Sequence, residues 1–165
     1  RPSVPVRPEP LEFNLAVERI SFIAKEMLPL MRQHHAEAGL EQEAIPLDPD
    51  WDRLFSYDRA GIVHLTTARS DDILVGYAFS IAAFPIWHAG TKAAHLEILY
   101  LDPVYREGGA GYRLLKQHFE ELRQAGVRVI KAETPERVAD GRLRILLKRL
   151  GMKEIERVFY KMVEL

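Results

Sequence analysis

The stretch that most restricts this chain is LEILYLDPVYREGGAGY, residues 96–112. An apolar strand runs directly into a glycine-rich turn, and the turn runs into a helix. The first backbone N–H groups of a helix have no partners within it and lie at the positive end of its dipole. Such an end binds phosphate without a metal. The glycines let a ligand approach the backbone and allow positive φ, and Arg106 can add a charge-assisted contact. Two common phosphate loops do not fit. A Walker loop continues Gly-Lys-Ser/Thr, whereas Gly111 is followed by Tyr112 and Arg113. A dinucleotide fingerprint would match Gly109 and Gly111, but its third glycine is Leu114, and no acidic residue ends a suitable second strand.

The rest of the chain supplies one ordinary domain's worth of material, with 165 residues, 47% of them hydrophobic. A net charge of −1 provides no field for nucleic acid or an anionic membrane. The absence of cysteine excludes a disulfide framework, a thiol nucleophile and a cysteine zinc site. The longest uncharged run, 73–87, is too short for a spanning helix. A cytoplasmic protein is the expectation, with no nucleic-acid or membrane partner. Four prolines in residues 1–10 predict an extended arm, and residues 11–165 a single domain. Helical spacing of Phe13, Val17, Ile20, Ala24, Met27 and Met31 predicts a helix from Leu11, divided at Pro29 and ending near Gly39. Residues 40–50 read as an acidic loop and 50–57 as a short helix. Strands are expected at 62–69, 73–84, 94–101, 127–133 and 153–163, with helices at 109–125 and 142–150. The first strands should pair antiparallel, and those joined by the helix at 109–125 parallel. The expected class is α/β (α+β), a mixed sheet with helices on both faces.

The loop resembles that of the GNAT acetyltransferase superfamily, whose pattern Arg/Gln-x-x-Gly-x-Gly/Ala is filled by Arg106, Gly109 and Gly111. Residues 99–106 are similar to the family's lead-in, and residues 146–152 to its late helix and the start of the next strand. The resemblance spans roughly residues 60–163, with the N-terminal helices also compatible. It implies a GNAT-like, mostly antiparallel twisted sheet. It also implies acyl transfer from acyl-CoA, with acetyl-CoA as co-substrate, no metal, and a small-molecule amine or a protein amino group as acceptor. A homodimer stays open. Carried onto this chain, the backbone of Leu99, Tyr100 and Leu101 would pair with the pantetheine arm. Arg106 and the amides of Glu107, Gly108, Gly109, Ala110, Gly111 and Tyr112 would hold the pyrophosphate. The arm would enter where the strands at 96–101 and 127–133 part.

A protonated amine cannot attack a thioester, so a base is needed. Glu97 resembles the glutamate that many members place on this strand and is the candidate; a solvated or arginine-paired strand carboxylate is the alternative. Glu133 is the reserve. The tyrosine that often serves as general acid falls here on Leu147, and an asparagine seven residues earlier is replaced by Asp140. Tyr100, Tyr105, Tyr112 and Tyr160 are the available substitutes. The missing tyrosine keeps open a catalytically degenerate, CoA-binding or protein-interaction module. His34 and His35 are adjacent in a helix and point apart, against a metal pair. His88 and His95 flank the loop before Glu97 and either line an acceptor pocket or lie on the surface; His118 reads as a helix-face residue. Arg142, Arg144, Lys148 and Arg149 read as a solvated face, with a CoA 3′-phosphate or an acidic acceptor as the alternative partner. A polycationic acceptor would need acids, of which Glu41, Glu43, Asp48, Asp50 and Asp52 are nearest, although a solvated loop accounts for them as well.

Overall fold

The apolar run after Ile62 folds as a hairpin. β2 (Val63–Ser70) turns through Asp71 and Asp72, both at positive φ, into β3 (Ile73–Ala83). Short polar side chains tolerate that left-handed geometry, which matches the twist of the two strands. The structure is a computed structural model and describes residues 12–39, 42–134, 141–156 and 158–163. The expected arm at 1–10, Glu41 and Asp140 lie outside them.

β4 (Ala93–Leu101) pairs antiparallel with β3, with a register shift at Phe79/Ser80 where Phe79 faces Ile98 and Ser80 faces Leu96. Glu97 is therefore the extra residue of a β-bulge. Gly76 is required beside the end of β4, because a Cβ there would lie 2.5 Å from the Leu101 side chain and 2.8 Å from the Tyr100 carbonyl oxygen. A single 3-10 turn, Pro103–Tyr105, leads from β4 to the glycines. α3 (Ala110–Gln124) then crosses to β5 (Val129–Ala132), which pairs parallel with β4. With β1 (Asn14–Val17) on the far edge, the sheet order is β1-β2-β3-β4-β5, antiparallel throughout except for the last pair.

Helices cover both faces, as expected. On one face α1 (Ile20–Ala38) places Ile20, Ile23, Met27 and Met31 against Leu65, Tyr77, Phe79 and Tyr100, with α2 (Trp51–Arg59) alongside. On the other, Leu114 and Leu115 of α3 and Leu147 of α4 (Arg142–Arg149) pack on Ala68, Val75, Ala78 and Leu96. Asp50 caps α2 by accepting from the Arg53 amide at 3.0 Å. Among the described residues no helix is long and apolar enough to cross a membrane.

Three expectations are corrected. The segment read as helix from Leu11 contains β1, because residues 14–17 gain a ladder along β2 that a helix would forgo; Phe13 packs on the α3 face instead. Pro29 does not divide α1. It lies on the exposed side, so water can satisfy the carbonyl that it deprives of a bond, and the buried residues on either side of it hold one axis. Finally, the described part of 153–163 forms no strand. Ile155, Val158 and Phe159 remain exposed, with no sheet face to bury them. An alternating pattern becomes a strand only where a ladder and a face receive it.

Candidate active site

Pairing between β4 and β5 covers only Ala93–Leu96 against Val129–Ala132. From Glu97 to Leu101 the β5 side of β4 has no ladder partner among the described residues. β5 ends at Ala132, opposite Leu96, so β4 runs on past its partner and its free edge begins at Glu97. Leu99, Tyr100 and Leu101 lie along this open edge while their other side pairs with Ala78, Tyr77 and Gly76.

The glycine turn sits directly beyond that edge. Asp102 accepts from the Val104 amide at 3.0 Å and fixes the start of the turn. Gly108 and Gly109 take φ of 66° and 80°, which a β-carbon would strain. Gly109 is the N-cap of α3 without a side-chain cap, and the first turn of α3 holds no acidic residue. The amides opening α3 thus keep their positive end uncompensated. Gly111 has a packing reason of its own, since an added Cβ would approach Leu146 of α4 to 3.3 Å. The Arg149 guanidinium lies 4.6 Å over the Tyr112 ring, which brings a cation from α4 to the same turn.

Arg106 does not point into this turn. Its Nε donates to the Leu101 carbonyl at 2.7 Å, and its terminal nitrogen bonds both Glu37 oxygens at 2.9 and 2.7 Å. Its guanidinium also lies 5.4 Å over the Tyr100 ring. Arg106 therefore ties the turn to the last part of α1.

Glu97 is exposed at the bulge and accepts from His95 Nδ1 at 3.0 Å. The other ring nitrogen of His95 lies 3.6 Å from Glu133 Oε1. The two carboxylates named from the sequence thus meet through an imidazole, at the point where the ladder between β4 and β5 ends. The i, i+2 spacing of His95 and Glu97 was a usable strand-face signal; the approach of Glu133 depends on strand pairing and was not.

Leu147 is buried in the α3-side core and supplies no acid. Of the tyrosines, Tyr100 is buried and donates to Gln33 at 3.1 Å and Glu37 at 3.3 Å; burial first, and then Glu37, pushes its pKa up. Tyr105 packs against the core and Tyr160 is exposed. Arg144 and Lys148 face Glu154, at 2.6 and 3.7 Å. His118 is not a surface residue. It is fully buried, with Thr66 Oγ1 2.9 Å from Nδ1 and Ser80 Oγ 2.7 Å from Nε2. Burial, with His64 adding to it, lowers its pKa to about 3. His34 and His35, by contrast, line a pocket on the α1 face together with Tyr77 and Ile98, which sequence reasoning missed.

The fold recurs among acetyltransferases. An aminoglycoside acetyltransferase from an uncultured soil metagenomic sample superposes with TM-score 0.73 at 14% identity, covering 93% of this chain and 99% of that one. The ribosomal-protein-alanine N-acetyltransferase from Brucella melitensis biovar Abortus 2308 gives 0.68 at 15% identity over 93% and 100% of the two chains. Aminoglycoside N-acetyltransferase AAC(6')-Iy, solved in complex with CoA, gives 0.65 at 14% identity over 92% and 100%. No curated protein sequence matches the chain. The family description "Acetyltransferase (GNAT) family" does match it, over residues 28–152, which contain the open strand edge, the glycine turn and α4; the chain belongs to this family.

Proposed function

We propose that the protein is an acyl-CoA-dependent N-acyltransferase that moves an acetyl group from acetyl-CoA to a primary amine, small or on a protein, with Glu97 as base. One coincidence carries this reading. The open edge from Glu97 to Leu101, the uncapped start of α3 and a carboxylate at the bulge all fall on one strand end. The backbone of Leu99–Leu101 suits an amide-bearing arm, and the amides from Glu107 to Tyr112 suit a pyrophosphate. Arg106 joins them only by exchanging Glu37 for phosphate.

An amine of pKa ~10 arrives protonated. Glu97 takes that proton, directly or through a water, and His95 and Glu133 give it a path away from the site. The amine nitrogen then attacks the thioester carbonyl carbon; the C–N bond forms, the C–S bond breaks, and the thiolate leaves. With a thiol pKa of ~8.5 the thiolate is a competent leaving group, so Leu147 in place of an acid does not forbid the step.

The deciding experiment is thermal shift with acetyl-CoA, followed by thiol release with a panel of amines. Acetyl-CoA should raise Tm, because a ligand that binds only the native state stabilises it. EDTA should not alter this shift. Glu97→Gln should lower kcat/KM by about 100-fold or more, the usual worth of general base catalysis. Gly109→Asp should weaken acetyl-CoA binding through like charge and strain at positive φ. The burial of Leu147 favours a second reading, a degenerate CoA-binding or protein-interaction module. Stabilisation by acetyl-CoA without acetylation of any amine would select it.

A further inference from the structure

The connection between β3 and β4 carries residues that turns rarely carry. The His88 amide donates to the Pro85 carbonyl at 2.9 Å, which puts Ile86 and Trp87 at the centre of a turn. A second turn follows directly, with the Thr91 amide on the His88 carbonyl at 2.9 Å. Turn centres favour glycine, proline, asparagine, aspartate and serine. Here Ile86 is 90% exposed and Trp87 88%, and Phe84 beside them is 59% exposed. Single exposed apolar residues are ordinary, but three large ones within positions 84–87 make a patch, and such patches mark contact surfaces. The paired turns hold this tip in shape, so the side chains stand out from the sheet.

The charge around the tip has one sign. β2 and β5 begin at this end of the sheet, where β3 ends and β4 starts. The Ala82 amide donates to the Ile62 carbonyl at 2.8 Å, and the Arg128 amide to the Lys92 carbonyl at 2.9 Å. Arg59 at the close of α2, Lys92 and Arg128 therefore belong to the same end as the tip. None of the three pairs with a carboxylate among the described residues; Lys92 donates to the Ala125 carbonyl at 3.1 Å. Positions 73–96 contain no Asp or Glu. The acids on the neighbouring helix ends are engaged: Asp58 by Ser21 and Arg19, Glu120 by Arg123 and Gln124, Glu121 by Gln117. The net charge of −1 is thus a sum over unlike regions. Glu43, Asp48, Asp50 and Asp52 precede or open α2, whereas Arg59 closes it.

We propose that the β3–β4 tip docks the protein on an anionic phospholipid surface, with Ile86 and Trp87 entering the headgroup region and Arg59, Lys92 and Arg128 facing lipid phosphates. This departs from the expectation of no membrane partner, which was drawn from net charge alone. The Trp87 ring has an apolar body and one polar N–H, the combination that settles at a membrane–water boundary. Nearby cations add attraction to anionic headgroups. Either signal alone is weak, and the two together make a reversible anchor. A bilayer also suits the shape, because a protruding turn can enter it without a matching concavity. The proposal does not depend on the acyl-transfer reading. β4 runs 9 residues from the tip to Leu101, about 30 Å at the usual rise, so a docked tip leaves the glycine turn in water.

The test is co-sedimentation of the full chain with two kinds of vesicle, phosphatidylcholine alone and an equimolar mixture with phosphatidylglycerol. Binding to the mixture should be about tenfold tighter or more, and should weaken as salt is raised. Ile86→Ser with Trp87→Ser should weaken it by about tenfold or more through lost apolar contact. Arg59→Gln and Arg128→Gln should each cost about fivefold, on the mixed vesicles only. Tryptophan emission should move to shorter wavelength on binding, and should not do so in Trp87→Phe. All four positions are exposed, so each variant should keep the parent Tm and serve as a folded control.

No binding to either vesicle, or equal binding to both, would overturn the proposal. Full retention of binding in the Ile86/Trp87 double variant would place the contact elsewhere and overturn it as well. Absence of vesicle binding together with self-association that the double variant abolishes would give the tip to a second copy of the chain instead.

Discussion

Each face of the sheet buries a polar side chain near its centre, and the two are treated in opposite ways. On the α3 face, His118 has both ring nitrogens engaged, one by Thr66 and one by Ser80. On the α1 face, Tyr77 is as deeply buried but its hydroxyl has no partner among the described residues. The first arrangement is closed and belongs to the framework that fixes α3, and with it the glycine turn. The second leaves a buried hydroxyl unpaired on the strand that pairs with β4, where Tyr77 faces Tyr100. His64 Nε2, beside His118, also lacks a partner among the described residues, so neither burial nor a missing partner marks function by itself.

The sharpest way to break this comparison is His118→Ala. It opens a cavity and strands two buried hydroxyls, so urea unfolding should show a loss of about 3 kcal/mol. If the loss is no larger than for Tyr77→Phe, the contrast between the faces fails. The second test is pH. In the unfolded chain His118 titrates near 6.5, and in the fold near 3. Between those values the unfolded state holds more protons. Stability should therefore be full above about pH 6.5 and decline as the pH falls toward 3, by at most about 1.4 kcal/mol per unit for this residue. His64, also lowered by burial, acts in the same direction. Urea midpoints between pH 7 and 4 should flatten in His118→Gln.

A smaller effect is expected at the junction on the α1 face. There the Asp58 carboxylate accepts from Ser21 Oγ at 2.7 Å and from Arg19 Nε at 3.3 Å, which ties α2 to the start of α1. Asp58→Ala should cost about 1–2 kcal/mol by the same measurement. Tyr77→Phe should change least, staying near zero or turning stabilising.

The parts of this molecule that were legible in its sequence were those written in local chemistry. The turn at 106–111, the pair of strands that meets at Asp71-Asp72 and the short helix after residue 50 follow from the residues that occupy them. β1 was hidden because four residues with one inward contact carry no alternation, and the nearby helical spacing absorbed Phe13 and Val17. Pro29 misled because the rule for proline concerns an isolated helix, and α1 is held by contacts on both sides of it. Glu97 was identifiable as a strand carboxylate before a glycine turn. Its approach to Glu133 through His95 was not, because it depends on the parallel register of β4 and β5. Tyr77 sits in an apolar run where nothing distinguishes an unpaired hydroxyl from a paired one.

The bond between Arg106 and Glu37 has a consequence for the order of events. Glu37 also receives the Tyr100 hydroxyl, and it lies one turn beyond His34 on α1. An anion that recruits Arg106 must take it from Glu37, which releases a carboxylate at the end of the helix that walls the α1-face pocket. Occupancy of the glycine turn and the conformation of that wall are then linked quantities, and linkage is reciprocal. Whatever preference one ligand shows for the presence of the other must appear with equal magnitude when the two are added in the opposite order.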